Sequence, residues 1–116
     1  MDIYHIHCNL KPGQNDLEFV RHVRGYLDHL KSGAQLHSYR ITRAKLGLRP
    51  PQLREFLITI EFDDLTQLQA AFDKVSTRAD PVEGLHHAVN SMVQDTYFAL
   101  YRDFPDGGRV QGQEKF

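Results

Sequence analysis

Phe56-Leu57-Ile58-Thr59-Ile60-Glu61-Phe62-Asp63-Asp64-Leu65-Thr66-Gln67 is the stretch around which the rest of the chain can be organised. Phe56, Ile58, Ile60 and Phe62 alternate with Leu57, Thr59 and Glu61, and a period of two predicts a strand with one strongly apolar face. Asp64, with Gln67 three residues later, is a helix-start signature. Leu65, Leu68, Ala71, Phe72 and Val75 then recur at helical spacing.

Towards the N-terminus, residues 46–54 contain Gly47, Pro50 and Pro51 and must form a loop. Before it, residues 35–45 are extended, with Tyr39 and Ile41 on one face and Ser38, Arg40 and Thr42 on the other. Residues 2–10 alternate again, placing Tyr4, Ile6, Cys8 and Leu10 opposite Ile3, His5, His7 and Asn9. Lys11-Pro12-Gly13 ends that strand. Asn15 and Glu18 open a first helix with the stripe Phe19, Val20, Val23, Leu27 and Leu30, and Ser32-Gly33 stops it. On the C-terminal side, Asp80 as cap, Pro81 and Glu83 predict a short helix with Val82, Leu85 and Val89 inward. Residues 96–102 predict a last strand, with Phe98 and Leu100 opposing Tyr97, Ala99 and Tyr101. The order is a ferredoxin-like βαββαβ unit of the α+β class, with a four-stranded antiparallel sheet and an extra short helix before the last strand. One domain is expected over residues 1–103, followed by a polar, glycine-rich C-terminal tail over residues 104–116 in which Phe104-Pro105 is the element that could be tied down.

Composition narrows the function classes. The chain has 116 residues, 14 Lys plus Arg against 15 Asp plus Glu, and a formal net charge of −1. That balance argues against a generally basic nucleic-acid binder. A single Cys excludes an intrachain disulfide and any multi-Cys metal site. No apolar run approaches the roughly 20 residues that span a bilayer, and Met1-Asp2-Ile3-Tyr4-His5 lacks a basic leader. A cytoplasmic protein with no membrane and no nucleic-acid partner is expected. No glycine-rich phosphate loop or other cofactor motif occurs, so no cofactor is expected.

Several of these segments resemble a known family. The run Tyr4-His5-Ile6-His7-Cys8-Asn9-Leu10-Lys11-Pro12-Gly13 and the junction Glu61-Phe62-Asp63-Asp64-Leu65 resemble stress-responsive dimeric α/β-barrel domains. Tyr39-Arg40-Ile41-Thr42-Arg43, Leu85-His86-His87-Ala88-Val89-Asn90-Ser91 and Phe98-Ala99-Leu100-Tyr101-Arg102-Asp103-Phe104-Pro105 look like an uncharacterised bacterial family of such domains. The resemblance implies a homodimer in which two four-stranded sheets face each other with helices outside. It also implies a superfamily holding cofactor-free monooxygenases, polyketide cyclases and small-molecule binders. In cyclases of this type a strand-one His lines the pocket, and His5 is the matching position. Their second catalytic His lies in a His-Pro-x-x-His stretch; here the region reads Arg78-Ala79-Asp80-Pro81-Val82-Glu83 and has neither His.

The face opposite the apolar sets gathers His5, His7, Asn9, Arg40, Thr59, Glu61, Tyr97 and Tyr101. Imidazole, carboxylate and phenol together suit acid–base chemistry near neutral pH. His5, His7 and Glu61 are therefore the candidate catalytic groups, with Glu61 orienting a His. Asn9, Arg40, Thr59, Tyr97 and Tyr101 are the candidate ligand-binding residues. The alternative is a polar seam between two sheets. A third possibility is a metal held by His5, His7 and Glu61, since alternate strand residues share a face. His86 and His87 point about 100° apart on a helix, so one is expected to pack or cap and the other to be solvated. His22, His29 and His37 are expected at the surface, and Cys8 as a small buried hydrophobe. Residues 40–54 carry Arg40, Arg43, Lys45, Arg49 and Arg54 with no acid, a local charge of +5 expected on a solvated hairpin or against a partner subunit rather than on nucleic acid.

Three functions are therefore carried forward. The first is a homodimer that binds, or converts by acid–base chemistry, a small organic molecule on the inner sheet face; as an enzyme it would be monooxygenase- or cyclase-like. The second is a non-catalytic homodimeric interaction or stress-related domain. The third is a metal-binding protein.

Overall fold

The computed structural model describes residues 1–113. In chain order it runs β1 (Asp2–Leu10), α1 (Asp16–Ser32), β2 (Ser38–Arg43), β3 (Phe56–Phe62), α2 (Leu65–Ser76), α3 (Val82–Asn90) and β4 (Val93–Arg102). The strands form one antiparallel sheet in the order β2-β3-β1-β4. This is the ferredoxin-like α+β fold expected from the sequence.

Local chemistry sets the element starts. The Asn15 side chain accepts the Glu18 backbone N–H at 2.9 Å, and Asp64 accepts that of Gln67 at 2.8 Å. Both satisfy a donor that the first helical turn leaves without a partner. The expected cap at Asp80 is not made. Because α3 starts at Val82, Pro81 takes the capping position with no side-chain bond, and Asp80 falls one residue outside it.

The core lies between the sheet and the helices. Phe56, Ile58, Ile60 and Phe62 from β3 and Cys8 from β1 are buried against Phe19, Val23, Leu27 and Leu30 of α1 and Leu68 and Ala71 of α2. Phe19 is fully buried and meets the Phe56 ring edge-on at 5.1 Å. Such a pair adds about 1 kcal/mol beyond its area burial. Among the described residues, no helix covers the other sheet face.

The last strand begins at Val93, earlier than residue 96. The register runs from His7 opposite Tyr97 to Asn9 opposite Gln94, so β4 holds one extra residue there. Asp95 takes the left-handed backbone conformation, φ +55°, that such a bulge accommodates. The bulge shifts the alternation, hiding the first residues of β4 from a period-two pattern. It is fixed from both sides, since Arg54 donates to the Asp95 carbonyl at 2.7 Å and the Asn9 amide to its carboxylate at 3.3 Å.

Past β4, the Asp103 N–H donates to the Met1 carbonyl at 3.1 Å, and Arg102 pairs with buried Asp2 at 2.7 Å. Phe104 is exposed, so its ring ties nothing down. The expected tail reaches residues 114–116, which lie outside the described residues.

Candidate functional site

Register places the expected polar residues on the layerless face, in rows. Arg40 opposes Thr59, Thr59 opposes His5, and His5 opposes Ala99. In the next row Thr42, Leu57, His7 and Tyr97 follow one another across the strands. The His5 ring lies 4.8 Å from that of Tyr101 and 6.3 Å from that of His7. His5, His7, Arg40, Thr59, Tyr97 and Tyr101 thus do share a face, and Tyr97 and Tyr101 stand 51% and 62% exposed.

Two of the expected residues are engaged elsewhere. Glu61 opposes Ile3, and its carboxylate accepts the Ser38 hydroxyl at 2.9 Å, so it does not orient either imidazole. Asn9 accepts the Glu55 N–H at 2.9 Å while donating to Asp95, which ties β1 to both neighbours beyond the bulge. Among the described residues no three His, Cys, Asp or Glu side chains converge as a metal site would require, so the set His5, His7 and Glu61 lacks its third ligand.

A cavity lies across the sheet. A space of about 390 Å³ opens between the apolar sheet face and the helices, with Tyr4, Ile6 and Cys8 of β1 along its floor. His5 therefore does not line it, contrary to the expectation from resemblance, because successive strand residues point to opposite faces. Ile58 and Ile60 continue the floor, and Tyr26 of α1 and Val89 of α3 form walls. Near its rim Tyr4 stacks on Phe98 at 5.8 Å and meets Phe72 edge-on at 5.4 Å, both rings being partly exposed.

Few polar groups reach this space. His86 is half-buried and meets the Tyr26 ring edge-on at 5.4 Å, whereas His87 is exposed. Burial, with a lesser contribution from Tyr4, pushes the Tyr26 hydroxyl up to about 12, so it stays a proton donor near neutral pH. Burial also raises Tyr4 and pushes the Cys8 thiol up to about 11, which keeps that sulfur protonated and unreactive. His86 is the imidazole that lines this space.

Sequence reasoning missed Tyr4 and Tyr26 as site residues and left His86 unassigned. Tyr26 follows Val23 by three positions, so the flank of the α1 stripe was a usable signal. The basic hairpin proves largely spoken for. Arg43 bonds Glu55 at 2.8 Å and Asp16 at 2.9 Å, Arg49 donates to the Leu53 carbonyl, and Arg54 lies 4.2 Å over the Tyr97 ring. Among the described residues no helix is long and apolar enough to cross a membrane.

Solved structures share this architecture. A variant of SnoaB, a cofactor-independent oxygenase from Streptomyces nogalater, superposes with a TM-score of 0.69 at 6% identity, covering 93% of this chain and 97% of that one. An antibiotic biosynthesis monooxygenase gives 0.62 at 16% identity, covering 90% and 100%. A dimeric ferredoxin-like protein of unknown function from Jannaschia sp. CCS1 gives 0.63 at 10%, covering 89% and 100%. At such identities the likeness is one of fold. No curated protein matches the sequence. The match that names a family runs over residues 1–116: the chain belongs to DUF6614, a family of unknown function.

Proposed function

We propose that this protein binds a small, largely apolar organic molecule in the cavity between the sheet and the helices. The observation that carries this is the cavity itself. At about 390 Å³ it is of ligand-pocket size, lined mainly by aliphatic and aromatic side chains with a few polar groups at one side. The oxygenase and monooxygenase neighbours have the same fold, which suits organic substrates without extending their reactions to this chain. Any acid–base step would fall to His86, with Tyr26 as donor, and not to His5 or His7.

The open sheet face supports a second element, a homodimer. A sheet with one apolar layer and a bare opposite face has reason to pair, most simply about a two-fold axis. The Cα radius of gyration is 16.0 Å, against roughly 13 Å for a compact domain of this length. The thinnest dimension is only 18 Å. Both numbers fit a chain lacking a covering layer. His5, His7, Tyr97 and Tyr101 are then interface residues, with Arg40 and Thr59 beside them.

A neutral apolar fluorophore, N-phenyl-1-naphthylamine, tests the first element. Val89→Phe, which fills the cavity from α3, should weaken dye binding roughly tenfold or more, while His5→Ala/His7→Ala leaves it intact. Loss of binding in the double His variant with none in Val89→Phe would assign the ligand to the open face instead.

A further inference from the structure

A second recess, of about 400 Å³, lies beside the apolar cavity at the α2–α3 connection. Val75, Ser76, His86 and Asn90 line both spaces, so the two adjoin across these side chains. The recess differs in chemistry. Beyond the shared residues it is lined by Arg78, Glu83 and His87. We infer that the ligand is an amphiphile whose apolar body fills the cavity and whose single carboxylate head sits in this recess, bound by Arg78, His86, His87 and Asn90. The inference rests on the cavity being the binding site and adds the class of molecule it takes.

Donors outnumber acceptors in the recess. A guanidinium, two imidazoles and an amide can all donate N–H bonds, and the Ser76 hydroxyl already donates to the Asp73 carbonyl at 2.9 Å. Glu83 is the one acid. Among the described residues it makes no ion pair with Arg78, which leaves the guanidinium free to meet an anionic head. On the apolar side, about 390 Å³ holds roughly a dozen water-sized groups, the bulk of an eight- to ten-carbon chain.

Arg78 supplies an independent observation. It follows α2 with φ +54°, its N–H bonded to the Val75 carbonyl at 3.2 Å. Helix ends in this left-handed conformation favour Gly, and any other side chain there costs on the order of 1 kcal/mol. Among the described residues the guanidinium has no hydrogen bond or ion pair that would offset the cost. A cation held in an unfavourable backbone position at the rim of a cavity fits a residue kept for its ligand.

The experiment displaces N-phenyl-1-naphthylamine with decanoate and with 1-decanol, in the wild-type chain and in Arg78→Gly and Arg78→Lys. Decanoate should displace the dye at roughly tenfold lower concentration than the alcohol. Arg78→Gly should erase that preference without lowering the unfolding midpoint, because Gly suits the backbone, and Arg78→Lys should retain most of it. Equal displacement by acid and alcohol, or a preference that survives Arg78→Gly, overturns the carboxylate head and leaves the cavity standing. A dye that never binds overturns the cavity and this inference together.

Discussion

The two faces of the sheet are built from the same four strands, one position apart, and they differ in nearly everything that decides burial. On the helix side, Phe56, Ile58, Ile60 and Phe62 of β3 are buried with Cys8 of β1, and the small space left between them is apolar. On the other side, His5, His7, Thr59, Arg40, Tyr97 and Tyr101 are half-buried or exposed. A cluster of titratable groups is visible in a sequence, whereas a void is not. In this chain the titratable cluster and the void are on opposite faces. The polar face is the natural place to expect chemistry, yet the apolar space lies across from it.

The largest effect expected from this contrast is on the core. Phe19→Ala removes a fully buried ring and should cost about 3–5 kcal/mol in urea denaturation. A loss below about 1 kcal/mol would mean that the helix layer is loosely packed and the cavity ill-defined. Next comes the open face, where Tyr101→Asp places a charge among exposed aromatic and imidazole groups. The fold should survive, while dimer affinity measured by light scattering falls roughly a hundredfold. A wild-type chain that stays monomeric at micromolar concentration would remove the dimer from the account.

Smaller effects sit at the helix starts. Asn15→Ala and Asp64→Ala should each cost about 1 kcal/mol by thermal or chemical unfolding, and Asp80→Ala should cost much less because Asp80 caps nothing. Equal costs at all three sites would mean that α3 is capped by Asp80 in solution. The smallest effect is a pH dependence. Partial desolvation, and then the neighbouring His7, hold His5 below its ordinary 6.5. The folded state therefore binds this proton less readily than the unfolded chain. Its contribution is fully present above pH 6.5 and is lost as the pH falls through the lowered value. His5→Gln should flatten that part of the stability–pH curve, and an unchanged slope would place its origin elsewhere.

Much of the architecture was legible because it rests on local rules. Alternation in β1 and β3, and the side-chain caps of α1 and α2, follow from two periodicities and from unpaired helix donors, all written within a few residues. The start of β4 was not legible, because the bulge at Asp95 resets the alternation and depends on Arg54 and Asn9, which are remote in sequence. Glu61 illustrates the same limit. Its face was correct, but its neighbour across the strand is Ile3, and its hydrogen bond goes to Ser38. Register, unlike face, is set by pairing along the whole strand. His86 was ambiguous for a related reason. Which of two adjacent histidines points into a cavity is decided by how α3 packs against α1, where Tyr26 receives it.

Where a ligand goes is the central claim, and methyl-resolved NMR of the chain titrated with N-phenyl-1-naphthylamine tests it most directly. The signals of Ile6, Ile58, Ile60 and Val89, which line the cavity, should shift. Those of Ile3, Leu57 and Ala99, on the strands' other face, should stay still. Shifts confined to Ile3, Leu57 and Ala99 would contradict the account and return the site to the face of His5 and His7.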